Sequence, residues 1–189
     1  MPEAEGRSRL RRLVPMLLMM AMVGPLTLNV LQPAMPSLVR YFGAPRESVQ
    51  LTLSLYIFGM ALAQMIGGPL ADRFGRRPVV LAGLALYTLS SLAGMFAPSL
   101  DLLIVSRVAQ AFGATACLAL SRTIIGDVSD RATTARVIAY VTMVMVVAPM
   151  AAPNLGAALD ARFDWRAIFA FCALFGALVL ATLAFGLFE

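Results

Sequence analysis

Long apolar, charge-free stretches recur along the chain at 13–39, 48–71, 78–100, 137–159 and 167–188, and a further one, 102–121, is interrupted only by Arg107. A hydrocarbon core of about 30 Å needs about 20 mostly apolar helical residues per crossing, so each stretch is long enough for one span. All are too long for barrel strands, and in lipid a helix satisfies its backbone groups within one segment. The pattern predicts helices at about 13–35, 47–71, 79–97, 101–127, 134–158 and 165–187, behind a polar tail over residues 1–12. Pro36, Gly43 and Pro45 are expected in the first connection and Pro98 in the third. Trp165, in the connection 159–166, is expected in the aromatic belt at the membrane surface.

Composition narrows the class. With 60% hydrophobic and 13% charged residues and a mean hydropathy of +0.85, the chain has more apolar surface than a 189-residue globular core could bury. The first stretch exceeds a signal-peptide core, and its Gly24-Pro25 and Gln32-Pro33 interruptions do not resemble a cleavage site, so it is expected to be retained. Arg11-Arg12 is its basic flank.

All fifteen basic residues are arginine. Ten of them (7, 9, 11, 12, 73, 76, 77, 122, 131 and 136) fall on one side of the predicted topology, and only 40, 46, 162 and 166 on the other. Positive residues favour the cytoplasmic side, which predicts cytoplasmic N- and C-termini. The net charge of +5 is thereby a topology signal. Nucleic acid is not an expected partner, because no basic patch carries interleaved aromatics. The chain has no His and no cluster with metal-ligand spacing. Cys117 and Cys172 fall within spans, where buried free thiols are the expectation.

Four constellations could carry chemistry. The run Gly68-Pro69-Leu70-Ala71-Asp72-Arg73-Phe74-Gly75-Arg76-Arg77-Pro78 predicts a tight charged hairpin between the second and third helices. Asp72 sits near a helix C-terminus, where the dipole disfavours an acid, so Arg73, Arg76 and Arg77 are its natural partners, and Asp127 could join them. The alternative is a charge run that only sets topology. Arg107 lies six residues beyond Asp101, about 9 Å along the helix. An arginine at that depth costs at least about 2.5 kcal/mol, so it should face a wet cavity or a partner, or else snorkel outward. Gln110, Ala114, Cys117 and Ser121 share its face.

In the first helix, Asn29 and Gln32 precede Pro33 on one face and should point inward, because uncompensated amides in lipid are costly. Asn29, Gln32 and Arg107 are expected to share one watery crevice. No acid lies in the interior of any span. In the fifth helix, Pro149 and Pro153 with Gly156 predict a kinked, closely packed element, with or without a functional role. Among the Met and aromatic residues, Tyr56, Met60 and Tyr140 are candidates for an adaptable apolar wall.

The hairpin matches at every defined position the pattern G-x-L-A-D-R-x-G-R-[RK] and resembles the signature of the major facilitator superfamily. Leu103, Arg107, Gln110, Gly113 and Ala114 resemble that family's helix 4 motif, with Ala111 where glycine is usual. Residues 27–36 are similar to the helix 1 motif of its drug:proton antiporters, with Asn29 where an acid is frequent. The helix 5 run and Asp164-Trp165-Arg166-Ala167-Ile168-Phe169 are similar to the bicyclomycin- and chloramphenicol-resistance branch.

The resemblance implies an all-α membrane protein of six transmembrane helices in two inverted three-helix repeats, one half of a major facilitator fold. It implies a latch of Gly68, Asp72, Arg73, Gly75, Arg76, Arg77 and Asp127, with Asp72 and Arg76 as its pair. It also implies a proton role for Arg107 and an antiport role for Pro149, Pro153 and Gly156. The expected function is multidrug efflux by alternating access in a bacterial inner membrane. A proton gradient is the expected energy source, with no cofactor, and the cargo a small lipophilic or cationic molecule. The family has twelve helices, so a second six-helix half or a second copy is the expected partner. The alternative is a non-transporting half that binds a complementary half. An enzyme is not expected, since no nucleophile-base set or phosphate loop is present.

Overall fold

The computed structural model describes the backbone of residues 2–128 and 131–186, and side chains over 14–118, at 135 and over 137–185. The elements are α1 (Pro2–Val30), a 3-10 turn (Gln32–Ala34), α2 (Met35–Phe42), α3 (Arg46–Phe74), α4 (Arg76–Met95), α5 (Leu100–Val128), α6 (Arg131–Phe163) and α7 (Arg166–Gly186). They form six membrane-length spans, because α1, the turn and α2 together make the first, Val14–Phe42.

That first span runs seven residues past the expected end at 35. Pro33 and Pro36 have no N–H to give to the helical ladder, so the α-helix lapses into a single 3-10 turn. Pro36 then falls in the first turn of α2, where a missing donor costs nothing, and helix resumes. Pro36 therefore belongs to the span, and the connection shrinks to Gly43–Pro45, with Gly43 left-handed at φ 59°. The second connection is shorter still. Gly75 alone, at φ 84°, separates α3 from α4, a backbone geometry that glycine adopts without steric cost. Backbone helix is also present over residues 2–12, the expected tail, and α6 extends beyond the expected 134–158 at both ends.

Small residues set the closest helix crossings, as expected where van der Waals packing drives association in lipid. A Cβ on Gly113 of α5 would strike the carbonyl oxygen of Gly83 in α4. One on Gly176 of α7 would lie 2.5 Å from the Tyr87 ring of α4. One on Gly156 of α6 would overlap the carbonyl of Val30 in α1. A Cβ on Gly59 of α3 would lie 3.2 Å from the Ala111 Cβ of α5, so the alanine that departs from the family pattern meets a glycine on its neighbour.

The core has an apolar cluster toward each end of the bundle. One gathers Val30, Leu38, Val49, Trp165 and Phe169, and the other Met16, Leu17, Val80, Val137 and Leu183. Both cysteines are buried and free. Large apolar side chains of α3 (Ile57, Phe58, Met65, Ile66) and α6 (Met143, Val146, Val147, Met150) remain exposed. A surface of that kind belongs in lipid or against another apolar helix bundle.

Candidate functional site

Arg107, on α5, is 1% exposed. Its Nη1 donates to Gln110 Oε1 at 2.6 Å, one helical turn further along α5. Two longer bonds of 3.5 Å run from Nε to the Thr52 carbonyl of α3 and from Nη2 to the Thr27 carbonyl of α1. The Tyr56 ring lies beneath, 4.1 Å from Cζ to centroid, and its hydroxyl donates to the Gly24 carbonyl at 3.3 Å. The guanidinium is thus held by carbonyl oxygens, an amide and a π face, and no carboxylate contacts it among the described residues.

The hydrogen bonds close into a ring. Gln110 Nε2 donates to Ser91 Oγ at 2.7 Å, and Ser91 Oγ donates to the Tyr87 carbonyl at 2.6 Å. The Tyr87 hydroxyl meets Thr27 Oγ1 at 2.6 Å, returning the path to the residue whose carbonyl accepts from Arg107. Every one of these groups is buried. In lipid each such bond contributes about 0.6–1.7 kcal/mol, and the ring ties α1, α4 and α5 together with α3 at its side. Thr27, Thr52, Tyr87 and Ser91 were not singled out from the sequence. Their signal was present: Tyr87 and Ser91 are polar groups four apart within a span, the spacing of one helix face.

Asn29 and Gln32 do not reach Arg107, which corrects the expected shared crevice. Asn29 Nδ2 donates to the Pro25 carbonyl at 2.7 Å, and Gln32 Nε2 donates to Asn29 Oδ1 at 3.2 Å. Thr27 and Asn29, two residues apart, differ by about 200° around a helix, so when Thr27 faces α4 and α5, Asn29 faces elsewhere. Gln32 instead lines a separate open cleft of about 910 Å³ between the first span and α3. Tyr56 lies beside the ring, under Arg107, and half-buried Met60 extends to within 3.5 Å of the Cβ position of Gly24. Tyr140, 45% exposed on α6, belongs neither to the ring nor to the lining of that cleft.

Trp165 is 2% exposed, enclosed by Tyr41, Phe42 and Phe169 at centroid distances of 5.4–5.9 Å, and so is not the lipid-facing anchor expected from its position. Arg166 covers it, donates to the Tyr41 hydroxyl at 2.6 Å and pairs with Asp164 at 3.3 Å. Ser37 donates to Asp160 at 2.7 Å. These contacts clamp α2 onto the α6–α7 connection.

At the hairpin, Asp72 and Arg73 are exposed, and Arg73 lies over the adjacent Phe74 ring at 5.4 Å. Arg76 and Arg77 each have partners. Among the described residues no ion pair joins Asp72 to Arg76, and the side chain of Asp127 lies outside them. A Cβ on Gly68 would meet no atom within 4 Å. Gly68→Ala should therefore leave the thermal stability of this chain unchanged, or raise it by up to about 1 kcal/mol from helix propensity, as read by melting in detergent. A loss of stability would mean that this face is already occupied. In α6, Pro149 and Pro153 are half-buried, and Gly156 is the contact to α1.

A bundle that is helical throughout its described elements, with six membrane-length spans and an arginine held inside it, is an integral membrane protein. Residues 17–189 match the profile of the Major Facilitator Superfamily, and the chain belongs to that family. It is 32% identical over 157 residues to the multidrug resistance protein MdtL of Shewanella oneidensis, covering 83% of this chain and 40% of that one. It is 30% identical to multidrug resistance protein D of Escherichia coli K12, over 87% of this chain and 42% of the relative. With the chloramphenicol resistance protein of Pseudomonas aeruginosa the identity is 32%, over 81% and 37%. The chain thus spans about two fifths of the length of these relatives. The crystal structure of a bacterial homologue of the lysosomal transporter Spinster, inward-facing and unoccupied, superposes with a TM-score of 0.72 at 18% identity, over 95% of this chain and 42% of that one. The fold is that of a major facilitator half.

Proposed function

We propose that this chain forms the first half of a drug-efflux carrier of a bacterial inner membrane, working with a second six-helix half by alternating access. The observation that carries the reading is Arg107, enclosed in the bundle and held without a carboxylate in contact among the described residues. A guanidinium at that depth weakens insertion, and residues of this kind mark ion and substrate pathways. Its ring contacts join four helices, so any rearrangement of α1 against α4 and α5 must change the surroundings of the charge. Antiport against protons is the coupling this reading favours. The described span interiors contain no acid, so the proton-carrying carboxylate comes from the second half.

The arginine excess supports a cytoplasmic position for the 72–77 hairpin and, with it, for both termini of the six-span unit. In this reading the hairpin is a latch whose acid is paired in one conformation and released in another. Asp72→Asn should then slow gradient-driven flux by about tenfold, the effect of about 1.4 kcal/mol on one conformational step, while membrane insertion stays at wild-type level. Loss of the inserted protein instead would leave the hairpin a purely architectural element.

The primary test reconstitutes the purified chain in liposomes together with the second six-helix half of a multidrug-resistance relative, imposes a pH gradient and follows two fluorescent amphiphiles, one cationic and one anionic. Flux of either that depends on the gradient supports the reading, and its absence with both removes efflux by this chain. A non-transporting half is the second reading. One observation favours it: the Arg107 ring is sealed from the cleft that holds Gln32. In that case the ring acts as a structural clasp, and the isolated chain binds a complementary half without moving cargo.

A further inference from the structure

The cleft between the first span and α3 has a chemistry of its own. Its walls are Leu28, Met35 and Val39 on one side and Val49, Leu53 and Ile57 on the other, with Pro33 and Pro36 at the break in the first span. Gln32, Gln50 and Ser54 supply neutral polar groups, and Arg40 and Arg46 stand at the end nearest the Gly43–Pro45 connection. No carboxylate is among the lining residues. Among the described residues Arg46 makes no ion pair, and Arg40 bonds to Ser37, at 3.1 Å, whose hydroxyl donates to Asp160 behind the cleft wall. From Arg46 to Ile57 the cleft follows α3 for eleven residues, about 16 Å at the helical rise.

The cleft opens because the proline-broken first span leans onto α6, where Gly156 permits backbone contact, while α3 packs on α5. The volume, about 910 Å³, is that of a site for a drug-sized molecule. An apolar trough with cations at one end and no acid along it repels a lipophilic cation and suits the opposite polarity.

We infer that this cleft binds an amphipathic anion, with its carboxylate, sulfonate or phosphate between Arg40 and Arg46 and its apolar body along Leu28, Leu53 and Ile57. Gln32 and Gln50 select among bodies that carry a carbonyl or hydroxyl. The inference rests on the carrier reading and deepens it by naming the cargo class, an amphipathic anion where a small lipophilic or cationic molecule was expected. Binding at the cleft can nonetheless be measured without transport. Charge-assisted contacts to arginine fix the head, and the trough removes apolar surface from water.

The test uses the whole chain in phosphatidylcholine nanodiscs, without a gradient. Equilibrium binding is measured for a fluorescent dodecyl sulfonate and for the same fluorophore carrying a dodecyl trimethylammonium. The expected result is saturable binding of the sulfonate. It should weaken about tenfold or more in the Arg40→Gln/Arg46→Gln double variant, and further as salt is raised. Arg162→Gln, on an exposed arginine at the end of α6, should leave it unchanged. Equal or tighter binding of the trimethylammonium, or no loss in the double variant, would overturn the assignment. Displacement of the sulfonate by a few mole per cent of phosphatidylglycerol would overturn it as a site for free cargo, by giving the cleft to lipid headgroups. Sulfonate binding with no gradient-driven flux removes the carrier reading and leaves the site. Flux of a cation with no sulfonate binding does the reverse.

Discussion

Arg107→Leu is expected to give a chain that inserts and folds but has lost on the order of a hundredfold or more of its gradient-driven flux, the equivalent of about 2.7 kcal/mol. The reasoning weighs two opposed effects. Removing the guanidinium relieves at least about 2.5 kcal/mol of membrane insertion cost. Against this, Gln110 Oε1 loses its close donor, a penalty of about 1–3 kcal/mol for a buried group, and the contact over Tyr56 goes. The two carbonyls at 3.5 Å lose little, since long bonds are weak and both oxygens lie within helices. The sum is near zero, so stability survives while a function that needs the charge does not.

Arg107→Lys separates charge from geometry. A lysine retains the cation but cannot bond Gln110 and two carbonyls in a fixed fork, so partial flux is expected from it. Melting in detergent and flux in liposomes, measured on the same preparations, check both variants. Wild-type flux in Arg107→Leu would sink the assignment of a transport role. Failure of that variant to insert would show that the ring is needed for folding.

Gly156→Ala is expected to destabilise the bundle by about 2 kcal/mol or more, the upper range for overpacking, and to separate α6 from α1. The added Cβ overlaps the Val30 carbonyl oxygen and lies 2.9 Å from the Val30 carbonyl carbon. Both atoms are backbone, so no rotamer change can make room, and one helix has to move. Alanine favours a helix interior by about 1 kcal/mol over glycine, which makes the sign a direct report of packing. Gly68→Ala is the matched control, with the same propensity gain and open space around it. If Gly156→Ala melts no lower than wild type, the close α1–α6 crossing is not present in the folded protein. Where the crossing is lost, the cleft beside α3 should change shape as well, because the lean of the first span onto α6 is what holds it open.

The number of spans was legible because lipid thickness and backbone satisfaction act on each segment separately. Charge-free runs and flanking arginines record both demands. The extension of the first span beyond residue 35 was not legible in the same way: Pro33 and Pro36 look like a stop, and only the placement of Pro36 in the first turn of α2 lets the helix resume. Trp165 shows a similar limit. Its position at a span end suggested a lipid anchor, but Tyr41, Phe42 and Phe169 from two other elements enclose it.

The candidate site divides along the same line. Arg107 and Gln110 were recognisable as partners because they are three apart on one helix. The sequence by itself determined six apolar spans, the sidedness of their charges, the membership of the family and the improbability of an enzyme. Only the tertiary structure decided that Arg107 meets Thr27, Thr52 and Tyr56 rather than Asn29 and Gln32, and that two arginines stand at one end of a cleft with no acid in its lining. The physical reason is that helical periodicity states which residues share a face, whereas the rotation of each helix against its neighbours is set by where glycines allow contact and where prolines break the ladder.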